Sequence, residues 1–289
     1  MKKILVTGGA GFIGSHLCKR LAADPKNRVY CLDNYFTGST NNHVDGVQYI
    51  EGETKNITEL IDFKPEIIYH LGEYSRVEQS FDDIELVLEY NKKGTLAVLE
   101  FVRIKKCKLI YAGSSTKFMS NESGSTSSPY SWSKATNTEL VKNYGDWFGI
   151  KYAITYFYNV YGPKEIEIGK YATLIALFKN KMKEGLPLTV VLPGNQKRNF
   201  THISDIVDGL VIIGEYGYGD EFGIGSKKSY SVNEVANLFG GKIKYLTERK
   251  GNRLDSKLIT KKTSELGWKP KFELKDYIEI LKKNHWREK

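Results

Sequence analysis

The sequence predicts an α/β fold in which a doubly wound parallel sheet is followed by a smaller C-terminal α/β lobe. Short apolar runs typical of strands alternate with segments of helical periodicity over the first 160 residues. A glycine-rich turn joins the first strand-like run to the first helical segment. Both observations favour parallel strands, because parallel neighbours need a crossover, usually a helix, between them.

The predicted elements follow one another through short connections. The first strand is expected over Lys3–Thr7 and the first helix over Ile13–Ala22. Later strands are expected over Arg28–Asp33, Val47–Glu51, Ile67–Leu71, Leu109–Ala112 and Tyr152–Phe157, and later helices include Ile84–Arg103 and Trp132–Phe148. After Gly162 the alternation changes, which predicts one domain over 1–160 and a second over 161–289, with about 199–216 returning to the first.

The composition excludes several classes of protein. A chain of 289 residues with 40% hydrophobic and 27% charged residues is typical of a globular protein rather than a disordered one. No apolar run reaches the length of a membrane span. Cys18, Cys31 and Cys107 lie far apart in apolar segments, which predicts buried thiols and a reducing cytoplasm.

The net charge of +9 raises the question of nucleic-acid binding. Most of it falls in residues 242–289, where 15 lysines and arginines stand against 7 acidic residues. These charges alternate with acidic and apolar residues and form no arginine block with interleaved aromatic residues. The pattern favours a solvated surface and no nucleic-acid partner.

Gly8, Gly11 and Gly14 form a G-x-x-G-x-x-G turn after the first strand and at the start of a helix. Backbone there can approach a pyrophosphate closely, and the helix N-terminus favours its charge. Asp33 ends the second strand, 19 positions after Gly14, where a carboxylate can accept both adenosine ribose hydroxyls. The carboxylate would repel the 2′-phosphate of NADP, so the pattern predicts a Rossmann sheet that binds NAD.

Tyr130 and Lys134 stand four positions apart at the start of a predicted helix and therefore share one face. An ammonium beside a phenol stabilises the phenolate, so the tyrosine can take a proton from a hydroxyl while a hydride leaves the same carbon. The pair follows the fifth strand, at the sheet edge where ligands bind. Substrate hydrogen bonds are expected from the hydroxyls that end this strand, on Ser114, Ser115 and Thr116.

The order of the glycines, Asp33, Ser114, Tyr130 and Lys134 resembles the extended short-chain dehydrogenase/reductases, in particular the nucleotide-sugar epimerases and dehydratases. The resemblance implies that the tyrosine is the base, the lysine holds the nicotinamide ribose and the serine binds the reacting hydroxyl. It also implies a homodimer built from two helices of each subunit. Cofactor contacts are expected from Gly8, Gly11, Phe12, Ile13, Gly14, Asp33, Asn34, Leu71, Gly72, Asn91, Tyr130 and Lys134.

The same resemblance implies the contacts with a nucleotide-diphosphate sugar. Asn159 matches a residue that contacts the substrate phosphates. Arg198 and Arg249 match two arginines that clamp the diphosphate, and guanidinium groups suit phosphate oxygens well. The sequence shows no cluster of metal ligands.

Two departures from the family pattern bear on the reaction. Dehydratases and decarboxylases carry an acidic residue just after the catalytic hydroxyl, where this chain has Ser115 and Thr116. Elimination of water would therefore lack its acid, which favours simple oxidation at C4 of the sugar. Glu73 follows the fourth strand, where the family usually has a small residue. The carboxylate is expected either to bind a substrate hydroxyl or to point to solvent.

These observations predict NAD-dependent oxidation at C4 of a UDP- or GDP-linked hexose or heptose, in the manner of a 4-epimerase. A 4-dehydrogenase that releases the 4-keto sugar, for example from a GDP-heptose, is the alternative, because Tyr130 and Ser114 serve both. A non-catalytic NAD(P)-sensing regulator is a distant alternative, since such proteins tend to lose the tyrosine or lysine that this chain keeps.

Overall fold

The computed structural model describes residues 1–118, 127–247 and 257–288, and it confirms the predicted α/β class. Its strands are Lys2–Thr7 (β1), Asn27–Asp33 (β2), Val47–Glu51 (β3), Ile67–His70 (β4), Lys108–Ser114 (β5), Lys151–Phe157 (β6), Val160–Tyr161 (β7), Leu188–Val191 (β8), Lys197–Asn199 (β9), Thr201–His202 (β10), Gly219–Ile224 (β11), Ser229–Ser231 (β12) and Ile243–Leu246 (β13). A seven-stranded sheet has the order β3-β2-β1-β4-β5-β6-β11, and all its neighbours are parallel.

Helices cover both faces of this sheet and build the second lobe. They are Phe12–Ala22 (α1), Ile57–Leu60 (α2), Ile84–Val87 (α3), Gly94–Lys105 (α4), Pro129–Phe148 (α5), Leu174–Lys183 (α6), Ile203–Tyr216 (α7), Val232–Phe239 (α8), Lys261–Glu265 (α9) and Leu274–Lys283 (α10). A π-helical segment, Leu88–Lys93, joins α3 to α4, so the helix expected over Ile84–Arg103 is continuous but not regular.

The core lies in two layers because successive side chains of a strand point to opposite faces. In β1, Val6 packs with α1 and α7 on one side, whereas Leu5 packs with α4 and α5 on the other. Both faces are therefore covered. This explains why the strands are nearly continuous apolar runs rather than alternating ones.

The chain returns to the sheet after entering the second lobe. Helix α7 packs against α1, and β11 then adds the seventh strand beside β6. Trp268 is buried in the same core layer and donates from Nε1 to the Asp205 carbonyl at 2.8 Å. A separate apolar cluster that includes Phe178, Val190 and Phe239 forms the core of the second lobe.

Within the described residues, no helix combines the length and apolar character that crossing a bilayer requires.

Candidate active site

A cavity of about 460 Å³ opens at the carboxyl ends of the sheet strands. Its wall includes the turns after β1, β2 and β4, the end of β5 and the first turns of α5. Residues 165–166 and 172–175 close it from the second lobe. In this strand order the connections after β1 and β4 run in opposite directions, which is where open α/β sheets bind ligands.

The glycine turn, Gly8–Gly14, has no room for side chains at two of its glycines. Gly8 has φ +73°, and a Cβ there would lie 2.8 Å from the Gly72 Cα. A Cβ at Gly14 would overlap the Gly8 carbonyl oxygen and lie 2.7 Å from the Gly9 Cα. Gly11 is the N-cap of α1 and supplies no capping side chain, so the helix N-terminus presents backbone N–H groups. This geometry suits a phosphate group.

Asp33 holds the turn from the end of β2. Its carboxylate accepts from the backbone N–H of Ala10 and from that of Tyr35, each at 2.8 Å. Burial raises the pKa of Asp33, while these two hydrogen bonds oppose the rise. Each oxygen keeps a lone pair that can accept from a ribose hydroxyl. The other cofactor contacts expected along this wall do line the cavity: Phe12, Ile13, Asn34, Leu71 and Gly72.

Tyr130 and Lys134 lie in the first two turns of α5. Ser128 caps α5 by accepting from the Ser131 N–H at 3.0 Å, and Pro129 is the first residue of the helix. Tyr130 therefore lies in the first turn, with Lys134 one turn further on the same face, and both line the cavity. Tyr130 is partly exposed, whereas Lys134 is buried.

Glu73 lines the cavity, and its carboxylate is buried against protein groups. It forms an ion pair with Lys134, and the two side chains are 3% and 5% exposed. It also accepts from the Thr95 hydroxyl at 3.0 Å, the Tyr111 hydroxyl at 3.1 Å and the Asn137 amide at 3.3 Å. We call these five residues the Glu73 cluster. The burial of Glu73 against Lys134 rules out the interpretation of a carboxylate that points to solvent.

The surroundings of the cluster are strongly desolvated. The Lys134 ammonium lies 4.6 Å from the centre of the Tyr111 ring, and burial raises the pKa of Tyr111 well above its usual value. His70, at the end of β4, bonds to the Thr7 hydroxyl at 2.7 Å and to the Thr95 hydroxyl at 3.1 Å. Burial lowers the pKa of His70 to about 4, so it is a neutral structural group at pH 7.

Asn91 and Ser114 lie behind the cavity wall formed by the described residues. Asn91 is fully buried, accepts from the Tyr74 N–H at 2.7 Å and donates to the Ser133 hydroxyl at 2.9 Å, so it shapes the turn that carries Glu73. The Ser114 hydroxyl accepts from that of Thr116 at 2.9 Å, and both are buried. Ser115 is also buried.

The residues expected to bind the diphosphate are only partly described. Asn159 has φ +34°, lines the cavity and donates to the Asn199 carbonyl at 3.1 Å. Arg198 lies in β9, away from the cavity-lining set, and donates to the Lys197 carbonyl at 3.0 Å. Arg249 lies outside the described residues.

Two cavity residues carry no signal in the sequence. Glu165 is buried, accepts from the Gly162 N–H at 2.9 Å and from the Thr173 hydroxyl at 2.5 Å, and burial raises its pKa to about 7. Arg76 donates to the Tyr171 carbonyl from Nε at 2.9 Å and from Nη2 at 2.7 Å. Neither stands in a motif with fixed spacing, so only the folded chain reveals that both line the cavity.

Comparison with known proteins agrees with this geometry. The model of the NAD dependent epimerase/dehydratase family matches residues 4–225. A putative UDP-glucose 4-epimerase of Methanocaldococcus jannaschii is 32% identical, with 95% of each chain covered. The crystal structure of a Thermotoga maritima UDP-glucose 4-epimerase with UDP-glucose has a TM-score of 0.88 at 27% identity and covers 98% of this chain and 99% of that one. The Thermus thermophilus UDP-glucose 4-epimerase with NAD has a TM-score of 0.87 at 26% identity, covering 98% of each chain.

Proposed function

Because the chain belongs to the NAD-dependent epimerase/dehydratase family, we propose that it oxidises C4 of a UDP- or GDP-linked hexose or heptose and then restores hydrogen on the other face, as a 4-epimerase. It is an NAD-dependent enzyme of the extended short-chain dehydrogenase/reductase family. The observation that carries the proposal is that Tyr130 and Lys134 line the same cavity as the glycine turn and Asp33.

The described residues fit NAD. The glycine turn leaves the backbone free of side chains at the α1 N-terminus, where the pyrophosphate would lie. Asp33 would accept from the adenosine ribose hydroxyls, and Lys134 would donate to those of the nicotinamide ribose. When bound, NAD supplies the acceptor for the hydride that leaves the sugar carbon.

Tyr130 is the residue that moves the proton. Its side chain lines the cavity from the first turn of α5, with Lys134 one turn further along the same helix. The phenolate takes the proton from the C4 hydroxyl and later returns it to the ketone. Ser114, Ser115 and Thr116 offer hydroxyls behind this position, and none of them is an acid that would drive elimination of water.

The second lobe would hold the nucleotide end of the substrate. Asn159 would contact the phosphates from the cavity wall. Arg198 would reach them by a change of side-chain conformation. In this division residues 1–160, together with about 199–216, bind NAD, and the remainder of 161–289 binds the nucleotide sugar.

A Tyr130→Phe variant tests the proposal. Removing the proton acceptor while keeping the ring should lower kcat about 100-fold to 1,000-fold, and NAD affinity should stay near that of the parent. Parent and variant are incubated with NAD and a panel of UDP- and GDP-linked hexoses and heptoses, and products are followed by proton NMR. Two C4 stereoisomers would establish the epimerase, and a 4-keto sugar appearing with NADH would establish the dehydrogenase instead. Turnover by the variant at the parent rate would overturn the assignment of Tyr130.

A homodimer is part of the proposal. Ile84, Leu88, Leu96, Trp132 and Trp147 are between 40% and 61% exposed along the helix that runs from α3 to α4 and along α5. Large apolar side chains clustered on two neighbouring helices are typical of an interface. Light scattering on the purified protein separates a dimer from the 32.9 kDa monomer, and a monomer at micromolar concentration would contradict the proposal.

A further inference from the structure

The Glu73 cluster places a buried carboxylate beneath the catalytic pair. The Glu73 carboxylate forms an ion pair with the Lys134 ammonium. Its other hydrogen bonds come from neutral groups, on Thr95, Tyr111 and Asn137. The two charges together form a neutral pair in a region from which water is excluded. A lone buried ammonium in the same place would instead give the site one net positive charge.

Other charged groups near the cluster are cations. The Lys92 ammonium donates to Asn137 at 2.9 Å and to Thr136 at 3.0 Å, and it interacts electrostatically with Glu73. Arg76 interacts electrostatically with Tyr130 and with Glu165. His70 is neutral, as described above. Glu73 is therefore the carboxylate that interacts with both Lys134 and Lys92, whereas the carboxylate that interacts with Arg76 is Glu165 in the wall of the second lobe.

We propose that Glu73 is a positioning residue that sets the charge of this site: by pairing with Lys134 it favours the cationic nicotinamide ring of NAD⁺ over the neutral ring of NADH. The inference rests on the proposed function for the place of Lys134 beside the nicotinamide ribose. Hydride transfer to NAD⁺ removes the positive charge of the ring, so a nearby carboxylate opposes reduction and a nearby ammonium assists it. The ion pair of Glu73 with Lys134 therefore cancels the effect by which the lysine alone would favour reduction of NAD⁺.

The charge balance between Glu73 and Lys134 affects whether the hydride stays on the cofactor or returns to the sugar carbon. A site that favours the oxidised ring favours return of the hydride to the sugar carbon and opposes accumulation of NADH. Such a site suits an enzyme that regenerates NAD⁺ in place, as a 4-epimerase does.

The test is a comparison of the dissociation constants of NAD⁺ and NADH, measured by calorimetry on nucleotide-free protein without sugar. Glu73→Gln should raise the ratio Kd(NAD⁺)/Kd(NADH) on the order of tenfold, because it leaves Lys134 uncompensated. Lys134→Gln should lower the ratio by a similar factor, because it leaves the carboxylate uncompensated. The double variant Glu73→Gln/Lys134→Gln should return the ratio to within about threefold of the parent value.

Tyr111→Phe is the matched control. It removes one hydrogen bond to Glu73 and changes no charge, so any structural loosening should weaken both nucleotides alike and leave the ratio unchanged. Equal ratios in the parent and both single variants, or shifts of both single variants in the same direction, would overturn the role of Glu73. Should Glu73→Gln not fold, the double variant is compared with Lys134→Gln: a higher ratio in the double variant supports the role of Glu73, and equal ratios overturn it. The two proposals can fail separately. If the parent turns over no sugar nucleotide, while Glu73→Gln raises the ratio and Lys134→Gln lowers it, the proposed function is overturned and the role of Glu73 stands.

Discussion

The glycine turn and the Glu73 cluster both contribute residues to the wall of one cavity, yet they are built in opposite ways. The turn comes from consecutive residues and depends on the absence of side chains at Gly8 and Gly14. The cluster gathers five side chains from separate parts of the chain and depends on the charges of Glu73 and Lys134. Shape in a local segment is visible in the sequence, whereas a buried charge balance becomes visible only in the fold.

His70 connects the two regions. Its ring bonds to the Thr7 hydroxyl beside the glycine turn and to the Thr95 hydroxyl of the Glu73 cluster. Thr7 in turn accepts from the Gly72 N–H at 3.1 Å, next to Glu73. Changes in either region should therefore reach the other through short, buried hydrogen bonds.

The largest expected effect comes from adding a methyl group to the glycine turn. Gly14→Ala should lower the free energy of unfolding by about 3 kcal/mol, because the new Cβ would meet backbone atoms of Gly8 and Gly9 that cannot move aside. Gly11→Ala is the control, since its nearest atom would be the Gly8 oxygen at 3.3 Å, and it should cost about 1 kcal/mol or less. Urea unfolding without cofactor measures both. Equal losses of stability in the two variants would mean that the close backbone contacts at Gly14 do not make it more sensitive to a side chain than Gly11 is.

A smaller effect is expected from replacing His70, whose contribution to the free energy of unfolding should depend on pH. Burial lowers its pKa from 6.5 to about 4, so on acidification the unfolded chain takes up the proton first. The stability due to neutral His70 is complete above pH 6.5 and is lost as the pH falls toward 4. Between pH 7.5 and 4.5 the parent should lose about 2 kcal/mol more than a His70→Gln variant.

The His70 prediction has an internal control in the exposed His43. A His43→Gln variant makes the same substitution at an exposed position and so measures the effect of the glutamine itself. Unfolding curves at several pH values measure all three proteins. Parallel pH dependence of the parent and His70→Gln would show that the link between the two regions carries no proton-dependent stability.

The smallest expected effect compares two tyrosine hydroxyls that donate to carboxylates. Tyr111→Phe should lower the free energy of unfolding by about 1.5 kcal/mol, since the buried Glu73 carboxylate cannot replace the bond with water. Tyr144→Phe removes a similar bond to Glu100, whose side chain is 38% exposed, and should cost well under about 1 kcal/mol. Thermal unfolding measures the difference, and a larger loss for Tyr144→Phe would contradict the view that burial strengthens the cluster.

Most of the fold was predictable because its signals are local. The strand expected over Val47–Glu51 has those bounds in the structure, and the ends of the other predicted sheet strands differ by at most two residues. The strand β11 was not predicted, because Gly219–Ile224 contains two glycines and two acidic residues and shows no continuous apolar run. Its place beside β6 depends on the packing of α7, which brings the chain back to the sheet edge.

Sequence patterns were sufficient for the Rossmann sheet, for the glycine turn and for the places of Asp33, Tyr130 and Lys134 in their elements, because each depends on spacing within one strand–turn–helix unit or one helical turn. The tertiary structure alone revealed the partner of Glu73. That pairing joins the end of β4 to α5, 61 positions along the chain, and its consequence depends on the removal of water by α4 and β5. Spacing determines which residues share a face, but the electrostatic effect of a carboxylate depends on its burial and on the atoms around it, which are set only when the sheet and helices pack.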